Sequence, residues 1–196
     1  MGPRRTKSRP KRSENRRGLV VTEGTETEKQ YVERLGQFLR TSSAVVSVKT
    51  VGVGKDPRDV VKKCIDLKAE AARKGKEFDW CVCLVDVDQH TTLQDAFTLA
   101  SANEVMVLVT NLKFEMWLLW HAADIRSAQT SAELDRLMVK YGLLQGKHLP
   151  LKFPIDKLGT AMHRASLVDP DLAAGRIGPD PSSAFPVLVN LIREGS

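Results

Sequence analysis

Phe78-Asp-Trp-Cys-Val-Cys-Leu-Val-Asp86-Val-Asp88 decides the fold of this 196-residue chain. From Phe78 to Val85 the run is apolar except at Asp79, the mark of a central strand covered on both faces. It stops at Asp86-Val-Asp88, where apolar text gives way to charge. Upstream, Gly18-Leu-Val-Val-Thr22 is a second short buried strand, ending at Glu23-Gly24. Thr25 and Glu28 predict a capping box for a helix carrying Tyr31, Val32, Leu35, Phe38 and Leu39. Residues 44–53, rich in valine, predict a further strand. Asp56-Pro57 supplies an N-cap and a first-turn proline for a helix with Val60, Val61, Cys64, Ile65 and Leu67 inward, closed by Lys74-Gly75. Downstream follow a helix with Leu93, Ala96, Phe97, Leu99 and Ala100, then a strand over 104–110. Four more helices are predicted over 112–123, 131–141, 152–165 and 181–193, with a turn-rich loop at 175–181.

Short apolar strands alternating with amphipathic helices predict βαβ units. The fold class is therefore α/β: a mainly parallel central sheet flanked by helices on both faces, with a helical C-terminal part. Right-handed crossovers align the strand C-terminal ends along one edge, where such sheets bind ligands. Glu23 and the Asp86/Asp88 pair both fall on that edge. Asp86 and Asp88, two apart on extended chain, point the same way. Three acids this close repel one another unless a cation joins them. Mg²⁺ or Mn²⁺ suits an all-oxygen set and activates water against a phosphodiester. Each acid also has a plainer role open to it: Glu23 favours a helix N-terminus, and the aspartates suit turns or caps.

Charge is unevenly spread. The net charge is +6, yet residues 1–17 hold Arg4, Arg5, Lys7, Arg9, Lys11, Arg12, Arg16 and Arg17 against Glu14 alone, so the remainder sums to −1. Residues 1–17 are expected to be a disordered basic tail, and 18–196 a single domain. Such a tail suits sequence-independent phosphate contact with DNA or RNA, or simply a solvated end. Cys64, Cys81 and Cys83 are too few and too closely spaced for a zinc site, and favour reduced, buried thiols in the cytoplasm. No apolar run reaches the ~20 residues of a membrane span.

Val21-Thr-Glu-Gly-Thr-Glu-Thr-Glu-Lys-Gln-Tyr31, Asp86-Val-Asp-Gln-His90, Asn111-Leu-Lys-Phe-Glu-Met-Trp-Leu-Leu-Trp-His121 and Pro179-Asp-Pro-Ser-Ser183 together resemble the RloB-like proteins of prokaryotes. The acid-glycine after one strand and Asp-x-Asp after a later one resemble the wider Toprim pattern. The resemblance covers most of residues 18–193. It implies a Toprim-like fold, Mg²⁺, and a role in defence against phage or other foreign DNA. The sequence departs from the pattern at Asn111-Leu112-Lys113, where Asn-Pro-Cys is expected, and this sets a cation beside the acids. The further acid that Toprim enzymes carry after the glycine has Glu26 and Glu28 as its candidates. Glu115 is either a supporting ligand or a first-turn helix acid behind Asn111 as cap.

Among lesser candidates, His90 is a loop histidine close to Asp88, open to proton transfer or phosphate contact. Lys55 follows Gly52-Val-Gly54, which lacks the rest of a phosphate loop but leaves a phosphate contact open. His121, His148 and His163 lack ligand spacing and read as structural, and Tyr31 and Tyr141 read as packed. Trp117 and Trp120 point to core or interface. The leading expectation is a Mg²⁺-dependent phosphodiester hydrolase on DNA or RNA, with Glu23 as ligand or general base and Asp86 and Asp88 holding metal. Its rivals are a non-catalytic nucleic-acid- or partner-binding defence subunit or sensor, and a primase-like nucleotidyl transferase. A second defence protein and a homo-oligomer stand as possible partners.

Overall fold

A computed structural model describes residues 16–40, 47–54, 56–87 and 92–193. Strands β1 (Arg17–Thr22), β2 (Ser47–Gly52), β3 (Trp80–Asp86), β4 (Met106–Asn111) and β5 (Ser182–Ser183) form one sheet in the order β2-β1-β3-β4-β5. The first four are parallel; β5 pairs antiparallel with β4 through Thr110–Ser183 and Asn111–Ser182. This five-stranded, mostly parallel arrangement is consistent with the expected Toprim-like α/β fold.

Both sheet faces are covered, as the apolar run in β3 requires. Helices α2 (Pro57–Arg73) and α3 (Leu93–Ser101) pack on Leu19, Val21, Cys81, Cys83, Val85, Val107 and Val109. The opposite face, with Val20, Val82, Leu84 and Leu108, lies under α1 (Thr27–Phe38), α4 (Glu115–Leu119), α5 (Ser131–Lys140), α6 (Leu158–Val168) and α7 (Phe185–Arg193). Tyr31 centres an aromatic cluster there, edge-on to Phe114, Trp117, His121, Phe153 and Phe185. Asp56 caps α2 by accepting the Asp59 N–H at 3.2 Å, with Pro57 behind it, as the sequence predicts. Cys64, Cys81 and Cys83 are buried free thiols. Among the described residues no helix is long and apolar enough to cross a membrane.

Several local expectations need correction. Arg17 is not part of a tail. It opens β1, its N–H donates to Asp79, and its guanidinium lies 5.0 Å over the Phe78 ring. The capping box of Thr25 and Glu28 does not form, because α1 starts at Thr27 and Glu28 bonds elsewhere. The helix expected over 112–123 shrinks to α4 and a turn. The one expected from 152 begins at Leu158 after a 3-10 turn (Ile155–Lys157). Residues 181–193 divide into β5 and α7, since Ser182 and Ser183 complete the sheet edge before Phe185 turns into helix. Tyr141 is 38% exposed rather than packed.

Candidate metal centre at the carboxylate edge

The parallel register sets the C-terminal ends of β1 and β3 side by side, with Thr22 opposite Leu84. Glu23 continues the ladder for one more bond, its N–H donating to the Leu84 carbonyl at 3.0 Å. Its own carbonyl accepts the Gly54 N–H at 2.7 Å, so the backbone at Glu23 is tied on both sides. From there the Glu23 Oε2 accepts the Asp86 N–H at 3.3 Å. The two acids named first in the sequence are therefore brought together.

Gly24 and Glu28 form the next pair. The Gly24 N–H donates to Glu28 Oε1 at 3.1 Å. A Cβ at Gly24 would stand 1.9 Å from Glu28 Oε2, so glycine here makes room for a carboxylate. Gly52 has a different reason: its Cβ would meet the Thr25 Cα at 2.6 Å, which lets β2 pass close beneath the turn. Glu115 comes from the first turn of α4, and Lys113 from the segment joining β4 to it. Glu23, Glu28, Asp86, Glu115, Leu112, Lys113 and Ser131 line one cavity of about 230 Å³.

Burial pushes the Asp86 carboxyl well above its ordinary range, and the charges of Glu28 and Glu23 push it further. The Phe114 N–H pulls it partly back. Burial also raises Glu28, reinforced by Glu115 and Glu23 and opposed by the Gly24 N–H. Each of these carboxyls thus hinders ionisation of the next. Their oxygens are hard donors of the kind Mg²⁺ or Mn²⁺ prefers. Among the described residues no three His, Cys, Asp or Glu side chains already stand as a coordinating group.

Of the residues singled out from sequence, Glu23, Glu28, Asp86 and Glu115 meet at this cavity. Asn111 does not cap α4; its amide donates to the Gly178 carbonyl at 3.3 Å. Glu26 points elsewhere and bonds Gln30 on the exposed side of α1. Asp88, His90 and Lys55 lie outside the described residues, as do Arg4, Arg5, Lys7, Arg9, Lys11 and Arg12. Arg16 is exposed, and its carbonyl accepts the Ser47 N–H at 2.9 Å. Sequence reasoning missed Ser131, which enters the cavity from the start of α5 and carries no local signal of that role.

His121 is structural, as expected. Its Nδ1 faces the Trp117 carbonyl at 3.2 Å, an acceptor only, so Nδ1 carries the proton. Nε2 then accepts from the Tyr31 hydroxyl at 2.9 Å. Burial holds the ring neutral, its pKa lowered to about 4.

A family model described as RloB-like protein matches residues 18–192, which spans every element described above except the first residue of β1 and the last of α7. Comparison with curated proteins and with solved structures gave no match.

Proposed function

The chain belongs to the RloB-like protein family, and we propose that its acidic cavity makes it a divalent-metal-dependent phosphodiester hydrolase acting on nucleic acid in defence against foreign DNA. The observation that carries this reading is the convergence of Glu23, Glu28, Asp86 and Glu115 on one 230 Å³ cavity at the C-terminal edge of a parallel sheet. Asp86 and Glu23 are the residues to hold the ion, with Asp88 two positions beyond Asp86 in the sequence as a third. When bound, Mg²⁺ or Mn²⁺ polarises the phosphodiester and makes a water nucleophilic at neutral pH. Glu28, with its carboxyl raised and its Oε1 steadied by the Gly24 N–H, is the group to take the proton from the attacking water. Glu115, at the start of α4, adds a further carboxylate to the cavity wall. Basic residues before β1 supply attraction to phosphate that the near-neutral body lacks.

The test is incubation of the purified chain with DNA and RNA in Mg²⁺ or Mn²⁺, beside Asp86→Asn. Cleavage by the parent that the variant loses supports the reading, and cleavage that persists in Asp86→Asn overturns the site. Adding nucleoside triphosphates separates hydrolysis from nucleotidyl transfer, which would lengthen strands instead of shortening them.

A further inference from the structure

Among the described residues the cavity has one basic side chain in its wall, Lys113, beside Glu23, Glu28, Asp86 and Glu115. The rest of the ionisable wall described is carboxyl, which repels an incoming anion. A phosphodiester is itself an anion, so its entry needs a further positive group within contact distance.

The backbone of Lys113 is set between β4 and α4, where its carbonyl accepts the Met116 N–H at 2.9 Å. Its side chain is 19% exposed, and Nζ donates to Asp135 Oδ1 at 2.6 Å. Asp135 belongs to α5, whose first residue Ser131 also lines the cavity, and its side chain is 66% exposed. An ion pair with one partner largely in water is weak, because solvent offers the carboxylate nearly as good a neighbour. The ammonium ends a flexible four-carbon stem with three rotatable donors. It is thus held at the cavity wall by a partner that can be exchanged without leaving a buried charge unpaired.

Resting on the reading of the cavity as a phosphodiester site, we infer that Lys113 is its phosphate-contacting cation and that Asp135 is the resting counter-ion. On binding, the ammonium leaves Asp135 for a non-bridging oxygen of the phosphodiester, and Asp135 returns to solvent. The site is therefore charged for a nucleic-acid backbone and not for a free divalent ion alone.

The experiment is fluorescence anisotropy of a labelled single strand of about 20 nucleotides across a salt series, with the full chain, Lys113→Ala, Lys113→Arg and Asp135→Asn. Lys113→Ala is expected to weaken binding roughly tenfold and to lower the slope of log K against log salt by about one. Lys113→Arg is expected to restore both, and Asp135→Asn to tighten binding a few-fold by freeing the ammonium. A change in slope is not produced by a merely structural lysine, and Asp135→Asn decides the matter if Lys113→Ala fails to fold. Unchanged affinity and slope in Lys113→Ala, or weakened binding in Asp135→Asn, would overturn the inference. Cleavage by the parent chain in Mg²⁺ is measured in parallel. Binding that depends on Lys113 without cleavage leaves this inference standing and removes the hydrolase reading. Cleavage with binding indifferent to Lys113 does the reverse, and no binding by the parent chain removes both.

Discussion

Glu23 and Asp86 end neighbouring parallel strands, and the N–H of Asp86 donates to the Glu23 carboxylate across 3.3 Å. That bond holds one acid over the backbone of the other. Burial, with the charges of Glu28 and then Glu23 added to it, is why the Asp86 carboxyl resists ionisation.

Asp86→Asn is therefore expected to stabilise the metal-free chain. The folded carboxyl is raised above its unfolded value, so its contribution is fully present in acid and is lost as pH rises through the folded value. Thermal unfolding in EDTA should show a higher Tm for the variant at neutral pH, converging with the parent in acid. Added Mn²⁺ should raise the Tm of the parent and leave the variant nearly unmoved.

His121 gives the opposite slope. Its folded pKa of about 4 lies below the usual 6.5, so the unfolded chain binds the proton first as pH falls. Its contribution is complete above 6.5 and declines towards pH 4, by about 3 kcal/mol in all. Urea unfolding at several pH values checks this. Tyr31→Phe removes the donor to Nε2 and is expected to cost ~1–3 kcal/mol at neutral pH.

Gly24 and Gly52 separate site from scaffold. Gly24→Ala collides with the far end of the Glu28 side chain, which can swing away, so stability should change little. Metal affinity should fall roughly 10–100-fold, since the carboxylate loses its seat. Gly52→Ala meets backbone at Thr25 and should cost ~1–3 kcal/mol of stability instead. Calorimetric Mn²⁺ titration and urea unfolding of both variants make the comparison.

Because Arg17 opens β1, a deletion of the basic N-terminal residues must stop at residue 15 to leave β1 intact. That deletion removes Arg4, Arg5, Lys7, Arg9, Lys11 and Arg12. If these contact phosphate, the salt slope for a single strand should fall by as much as about 4 while the unfolding midpoint holds. An unchanged slope would confine nucleic-acid contact to the folded body.

Much of this molecule was legible because its punctuation is local. Asp56-Pro57 starts a helix by its own chemistry, and an apolar run as dense as that before Asp86 has nowhere to go but the middle of a sheet. The acids at Glu23 and Asp86 were readable for the same reason, since strand ends fix the edge on which they fall. What escaped was set by tertiary contact. Glu28 looked like a capping-box residue, but the close approach of Gly24 gives its carboxylate a better partner. Ser182 and Ser183 become a strand only because β4 offers an open edge to them. Ser131 reaches the cavity through the packing of α5 against α4, and no residue near it in sequence announces that.

A crystal of the full chain soaked in Mn²⁺ and measured for anomalous scattering tests the central claim most directly. The expected result is a peak among the carboxylates of Glu23, Glu28 and Asp86, absent from Asp86→Asn. A cavity with no peak at a concentration that fills other sites, or a peak that persists in Asp86→Asn, would contradict it.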